Sequence, residues 1–311
     1  MAELAWTPPW RTLAALGLEA ALGYPDRLPH PVTWIGAALD RLERSWNQPR
    51  YSDRTRRALG VLTLGAVAGV SALAGAGLQK LLARRPWMLA AAASVGLAQR
   101  SLYDHVEPVA RALDTGDPMA ARRAVSRIVG RDVDRLDPAG IAAAGLESLA
   151  ESFNDGVVAP AFWLLAGGLP GLFAYKAVNT ADSMIGHMEP RWRAFGWAAA
   201  RADDLLNLVP ARIAGLLIVL VGRRGLRTML RDAPAHASPN AGWPEAAMAG
   251  ALGVSLGGPA SYDGVPTARP RFGNGPAPTA RDLRRGLRLY VRACALLWAA
   301  IAAGGLVWRR R

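Results

Sequence analysis

Apolar residues in this chain gather in long runs, with polar residues collected between them, so the pattern predicts helices of which several are membrane-embedded. Residues 58–83 exceed the ~20 residues needed to cross a bilayer, with Lys80 near the end of the run and glycines of the kind found in packed membrane helices. Arg84-Arg85-Pro86 then makes a basic turn into a shorter run, Trp87 to Ala98, which can continue as a polar helix past Arg100. Another span is expected from about Leu289 to Trp308. Thr279 and Asp282 form an approximate capping box before it, and Trp308 with Arg309 to Arg311 forms an interfacial anchor after it. Leu205 to Val221 is borderline, because Pro210 and Arg212 interrupt its first half. The run from Val157 to Val178 has the length of one span but holds Gly167-Gly168-Leu169-Pro170-Gly171 in its middle. That cluster breaks a helix, leaving either a re-entrant pair of half-helices or a kinked span. A re-entrant pair would return Asn179 and Asp182 toward Glu151 and Asp155, its freed backbone groups lining a polar cavity or buried by protein.

Between the apolar runs the punctuation is clear. Pro29-His30-Pro31 holds His30 extended before an amphipathic helix whose apolar face is Val32, Ile35, Leu39, Leu42 and Trp46, opposite Asp40, Arg41, Glu43 and Arg44. Asp117-Pro118 and Asp137-Pro138 each place an N-cap before a proline at the first helical position, and Gly130 can end the helix between them. Ser238 to Glu245 reads as a turn into a helix start whose backbone amides could hold an anion. Residues 257–278, rich in Gly and Pro, read as an irregular loop or lid.

Composition adds direction to this picture. A 51% hydrophobic content coexists with a net charge of +13, and the two are segregated, which suggests membrane spans joined by basic loops. Almost all the positive charge is arginine, since Lys80 and Lys176 are the only lysines. With few aromatics and no nucleic-acid motif, the expected partners are phospholipid head groups and anionic substrates, not DNA or RNA. Cys294 is the single cysteine, which excludes an internal disulfide and a thiolate metal cluster. No cleavable signal peptide is evident near the N-terminus. Basic residues flank both ends of nearly every span, so charge bias sets no orientation. The expectation is an all-α, polytopic membrane bundle with amphipathic and re-entrant helices and polar loops, forming one domain over residues 1–311.

Against this apolar background the acidic residues between 147 and 207 stand out. Glu147, Glu151 and Asp155 recur every four residues, which stacks three like charges on one face if the helix persists. Stability gives no reason for that stripe unless solvent screens it or a metal or arginine sits between the carboxylates. These three, with Lys176 at the end of an apolar run beside Asn179, are the catalytic candidates. For Lys176 the alternatives are phosphate binding and reaching for the interface. Asp203-Asp204-x-x-Asn207 with Asn179-x-x-Asp182 offers hard oxygen donors from two helix ends, which suits Mg²⁺; the bland alternative is helix capping. His30, Arg131, Arg201, Arg212, Asn240 and Glu245 are the substrate-binding candidates. Pairing with Asp132 or Asp203 is the competing account of Arg131 and Arg201. The histidines show no metal-ligand spacing, and His236 reads as solvated.

The order of these blocks resembles that of the CobD/CbiB family of cobalamin biosynthesis, the adenosylcobinamide-phosphate synthases. The resemblance rests on His30-Pro31-Val32 with Trp34-Ile35-Gly36, Ile128 to Asp132, Glu147-Ser148-Leu149-Ala150-Glu151 with Asp155 to Pro160, and Asn179 to Met184. It continues through Phe195-Gly196-Trp197, Asp203-Asp204 with Asn207, Pro210-Ala211-Arg212, and Ser238 to Glu245, covering about residues 16–275. Two places depart from the family: Ser152 replaces a usual asparagine, with Asn154 two residues on, and Gly23-Tyr24-Pro25-Asp26 replaces a usual Gly-Asp-Pro.

The resemblance implies a ligase that joins the carboxylate of adenosylcobyric acid to the amine of 1-amino-2-propanol phosphate, or of aminopropanol, at the cell inner membrane. ATP and Mg²⁺ are implied with it. The chain has no Gly-x-x-x-x-Gly-Lys-Ser/Thr loop, so the ATP site would be of another kind. Two other classes fit parts of the pattern. A membrane prenyltransferase would also carry Asp-Asp-x-x-Asn and Asn-x-x-Asp, and a corrinoid transporter could line its path with these acids.

Overall fold

The computed structural model describes residues 7–25 and 29–308, apart from the side chain of Trp308. The expected Arg309 to Arg311 anchor, the Trp308 side chain and Asp26 of the Gly-Tyr-Pro-Asp turn lie outside the described residues. The chain is overwhelmingly helical, and its contacts gather it into two compact units.

Unit 1 takes residues 1–98, 159–207 and 301–311. Its helices are α1 (Pro8–Leu22), α2 (Pro31–Trp46), α3 (Asp53–Leu81), α4 (Pro86–Ser94), α8 (Ala159–Ile185) and the first part of α9 (Trp197–Gly222). Unit 2 takes residues 99–158 and 208–300. It holds α5 (Gln99–Asp114), α6 (Pro118–Val125), α7 (Pro138–Phe153), the rest of α9, α10 (Leu226–Asp232), α11 (Gly242–Leu252) and most of α12 (Ala280–Trp308). Among the described residues, four segments are long and apolar enough to cross a membrane: Asp53–Leu81, Pro138–Ile185, Trp197–Gly222 and Ala280–Val307. On α3, Leu62, Val70 and Leu73 remain exposed, as lipid-facing residues would.

Within unit 1 the longest contact runs between α3 and α8, and Leu39, Val67, Ala181, Phe195 and Ala199 close the core between them and α2. Helix α8 turns back on itself. Gly168 has φ 61° and ψ −152°, a conformation essentially reserved for glycine, and a side chain placed on Gly171 would sit 2.6 Å from the Trp163 carbonyl oxygen. Eight residues of straight helix would separate those positions by about 12 Å, so the chain reverses between them. Pro170 falls in the first turn after the reversal, where a missing N–H costs nothing, and the Leu169 N–H donates to Gln79 Oε1 on α3 at 2.9 Å. Gly75 of α3 lets this bend approach, since a Cβ there would lie 2.7 Å from the Leu169 carbonyl oxygen. The two half-helices therefore fold back on each other at this bend, and the freed amide is satisfied by protein.

Pro210 does not interrupt α9, contrary to the sequence expectation. Proline at that position frees the Leu206 carbonyl four residues earlier, and Trp163 Nε1 donates to it at 3.2 Å. The amphipathic helix α2 forms as expected, but Glu43 belongs to the buried side. It accepts from Arg191 at 3.0 and 2.8 Å and from Asn47 at 2.8 Å. A bidentate arginine from residue 191 converts a polar-face position into a buried one.

In unit 2, Asp117 and Asp137 cap α6 and α7 through the amides of Ala120 and Gly140. Helix α6 ends at Val125, five residues before Gly130, with the Ser126 amide closing its last turn. The capping box is real, with Thr279 and Asp282 exchanging backbone-to-side-chain bonds at 3.0 and 3.4 Å. The expected irregular loop instead pairs twice: β1 (Leu256–Gly257) with β4 (Arg271–Phe272), and β2 (Ala260–Tyr262) with β3 (Val265–Thr267), both antiparallel. Helix α7 gives way at Asn154–Val158 to a π-helical turn. This under-winding takes Asp155 out of register with Glu147 and Glu151. Phe153 lies edge-on to Tyr290 of α12, whose hydroxyl donates to the Gln99 carbonyl at 2.7 Å.

Candidate functional site

The expected site residues fall into two clusters, one in each unit. In unit 1 the second half of α8 and the start of α9 bring Lys176, Asn179, Asp203 and Asn207 together. Asp203 is the hub, accepting from Asn179 Nδ2 at 3.3 Å through Oδ1 and from Asn207 Nδ2 at 3.0 Å through Oδ2. Each amide oxygen is turned the other way: Asn179 Oδ1 accepts from Lys176 Nζ at 3.4 Å, and Asn207 Oδ1 from the buried Tyr175 hydroxyl at 3.1 Å. The network thus fixes the orientation of both amides. Asp182 is close enough to feel the negative charge of Asp203 and Asp204. Arg201 contacts Asp204 Oδ2 at 3.1 Å, so its expected pairing with Asp203 goes instead to the neighbouring aspartate.

His30 of this unit caps α2, its Nδ1 accepting from the Val32 amide at 3.2 Å. Nε2 therefore carries the proton and donates to the Val95 carbonyl at 3.1 Å. Burial holds its pKa below the ordinary histidine value against the Val95 bond, and the charge of Lys176 adds to the lowering.

The unit 2 cluster is built around Glu147. Its Oε2 meets Arg131 and, at 3.0 Å, Arg269 Nη1, while Oε1 accepts from the Gly257 amide at 2.8 Å. The positive partner required by the sequence stripe is thus a pair of arginines, one from the segment before α7 and one from the β-arm, the segment 256–272 that carries β1 to β4. Arg131 pairs with Glu147 and not with Asp132, which accepts from the Gly264 amide at 2.9 Å.

Glu245, almost wholly buried, lies 3.6 Å from both His236 Nε2 and Arg269 Nη2. Burial, then the charges of Glu151 and Glu147, push the pKa of its carboxyl well above the ordinary value, which favours the protonated form. His236 is not solvated: burial lowers its pKa, and its Nδ1 accepts from the Ser238 amide at 2.9 Å. Glu151 is exposed, and Asp155 accepts from Asn154 Nδ2 at 2.7 Å.

Arg212 lies over the Trp243 ring at 4.5 Å and donates to Asn240 Oδ1 at 2.7 Å. The amides of Asn240 and Ala241 already donate to Ser238 Oγ at 3.2 and 3.3 Å, so the turn does not present the open amides expected of an anion site. Sequence reasoning passed over Tyr175, His236 as a half-buried group, and Arg269. Arg269 is one of two arginines in a Gly/Pro-rich stretch, and nothing in that stretch distinguishes it as the partner of a residue 122 positions away.

Among the described residues, no three His, Cys, Asp or Glu side chains converge on a common point as a metal cage. Mg²⁺ does not ask for one. It commonly takes one or two carboxylates and completes its shell with water and substrate phosphate. One or two of Asp182, Asp203 and Asp204 would fit that habit, and the repulsion that Asp203 and Asp204 exert on Asp182 is the kind a cation relieves. Asn179 and Asn207 are placed to orient Asp203 and present it with NH groups, not oxygen.

Comparison with known proteins covers nearly the whole chain. A family profile described as CobD/Cbib protein matches residues 12–290. "Cobalamin biosynthesis protein CobD" of Rhodobacter capsulatus is 50% identical over 95% of this chain and 97% of its own. Proteins of the same name from Brucella suis and a Sinorhizobium species are 45% and 43% identical, each over 94% of this chain and over 95% and 97% of their own lengths. No solved structure matches. With a profile spanning most of its length and relatives at this identity, the chain belongs to the CobD/CbiB family.

Proposed function

We propose that this protein is a multi-pass enzyme of the cell membrane in cobalamin biosynthesis, joining the carboxylate of adenosylcobyric acid to the amine of 1-amino-2-propanol phosphate. The observation that carries this reading is family membership over residues 12–290, which includes every acidic block named above. Membership also sets aside the prenyltransferase reading.

A carboxylate does not acylate an amine until one of its oxygens becomes a leaving group, and ATP would supply that activation. Mg²⁺, when bound, would neutralise phosphate oxygens that crowd together in the transition state. In this account Asp182, Asp203 and Asp204 hold the ion. Asn179 and Asn207 fix the Asp203 carboxylate from either side, and Lys176 supplies a positive charge beside them. Arg212, spread over Trp243, offers its guanidinium to the corrinoid's carboxylate and amide side groups. Glu151 and Asp155 are the candidates for accepting the proton that the amine loses. Glu147, saturated by two arginines and an amide, holds the β-arm and does not meet substrate.

The test is direct. Detergent-purified protein is given adenosylcobyric acid, aminopropanol phosphate and Mg-ATP, and the amide is sought by mass, with each component omitted in turn. Product that depends on all of them is expected. Uptake of a corrinoid into sealed vesicles with no chemical change would support a transporter instead and overturn the ligase reading.

A further inference from the structure

A cavity of about 280 Å³ lies in unit 1 where the chain enters α3 and α9, lined by Arg57, Arg193, Arg201, His187, Trp197 and Asp53 among others. Three guanidiniums face one carboxylate, an excess of positive charge in a concave space. That charge is only loosely neutralised. Among the described residues Arg57 pairs with no carboxylate and instead lies over the Trp197 ring at 5.1 Å. Arg193 reaches Asp53 only at 4.0 Å, with both side chains about two-thirds exposed (64% and 65%). Arg201 is the third, and its contact with Asp204 ties the cavity to the aspartate cluster.

A cavity of this volume has room for a phosphate on a short organic chain. Arginine is suited to that ligand, because its planar fork meets phosphate oxygens in pairs. We propose that this cavity binds a small phosphomonoester, with Arg57 and Arg193 gripping the phosphate and Arg201 joining it to the carboxylates of α9. Resting on the ligase reading above, the inference assigns the cavity to the amine co-substrate and makes these arginines the reason that a phosphorylated amine is preferred.

The full-length protein, in nanodiscs of phosphatidylcholine, is tested for equilibrium binding of radiolabelled 1-amino-2-propanol phosphate. Wild type is compared with Arg193→Gln and with the double variant Arg57→Gln/Arg193→Gln; the single change, at an exposed side chain, keeps the Arg57 stack on Trp197 intact. Binding should weaken roughly 10- to 100-fold in the double variant and by less in the single one, as expected for lost charge-assisted bonds. KM for the amine phosphate should rise in step, while KM for adenosylcobyric acid and for unphosphorylated aminopropanol stays unchanged. Equal binding by wild type and both variants overturns the proposal. So does a phosphate affinity that vanishes when phosphatidylglycerol is added, if retention of that lipid depends on the same arginines, because the cavity would then be a lipid head-group site. Arginine-dependent binding without any amide product keeps the cavity and removes the ligase reading; product with unchanged KM in the variants does the reverse.

Discussion

Glu147 and Asp203 are both carboxylates on apolar helices, yet their surroundings differ in kind. Glu147 is buried, and its oxygens are taken by two guanidiniums and a backbone amide. Asp203 is half-buried and receives two neutral side-chain amides, with two further aspartates near it. The first arrangement is complete without a ligand. In the second, Asp203 and Asp204 exert their negative charge on Asp182, the kind of repulsion that a cation relieves. Sequence spacing made the two sets look alike. Their partners mark Glu147 as a carboxylate that holds the fold and leave the aspartates as the candidates for a ligand.

The largest expected effect lies on the glutamate side. Glu147→Ala leaves the half-buried Arg131 and Arg269 without this carboxylate and should cost up to about 3 kcal/mol of stability, seen as a marked fall in melting temperature. Asp203→Ala, at a half-buried side chain, should melt closer to wild type. Equal melting of the two variants would break the contrast.

A smaller effect is expected at the bend that carries the second half of α8. Gly168→Ala forces a side chain into a glycine-only backbone conformation and against Gln79, costing about 1–3 kcal/mol. Because Tyr175 and Asn179 lie beyond that bend, the substitution should also disturb the aspartate network, measured as lower turnover in the molecules that remain folded. A Gly168→Ala protein with wild-type melting would show that the segment does not reverse there.

Glu245 sharpens the comparison through pH. Its folded pKa is raised by burial and by Glu151 and Glu147. Its contribution to stability is therefore complete below the ordinary value of 4.5 and is lost as pH rises through the folded pKa. Glu245→Gln preserves the uncharged shape and removes that loss. The variant should match wild type in acid and become more stable by about 1 kcal/mol or more as pH rises, followed by thermal melts across the range. A gap that widens toward acid would mean that Glu245 is held as a charged partner of Arg269.

What could be read from the sequence divides along local and distant causes. The caps at Asp117, Asp137 and Thr279, the amphipathic face of α2 and the break at Gly167 to Gly171 are set within a turn or two of chain, and each was legible. Glu43 looked solvated because its partner is Arg191, 148 residues on. Pro210 looked like a stop because the indole that satisfies the freed Leu206 carbonyl comes from Trp163. The β-arm was illegible for a related reason: its strands are two or three residues long, and Glu147 on α7 helps anchor them through Gly257. At the site, the pairing of Asn179 and Asn207 with Asp203 follows once α8 and α9 are laid side by side. Which amide atom faces the aspartate depends on Lys176 and Tyr175, and spacing carries no trace of it.

The central claim is that the aspartates of α8 and α9, and not the glutamates of α7, hold the catalytic ion. Mn²⁺, a paramagnetic substitute for Mg²⁺ with the same preference for oxygen, can be counted on the purified protein by electron paramagnetic resonance. The account predicts that Asp182→Asn and Asp203→Asn each lose the bound Mn²⁺ while remaining folded, and that Glu147→Gln and Glu151→Gln keep it. Retention in both aspartate variants, with loss in a folded Glu147→Gln or Glu151→Gln protein, would contradict it.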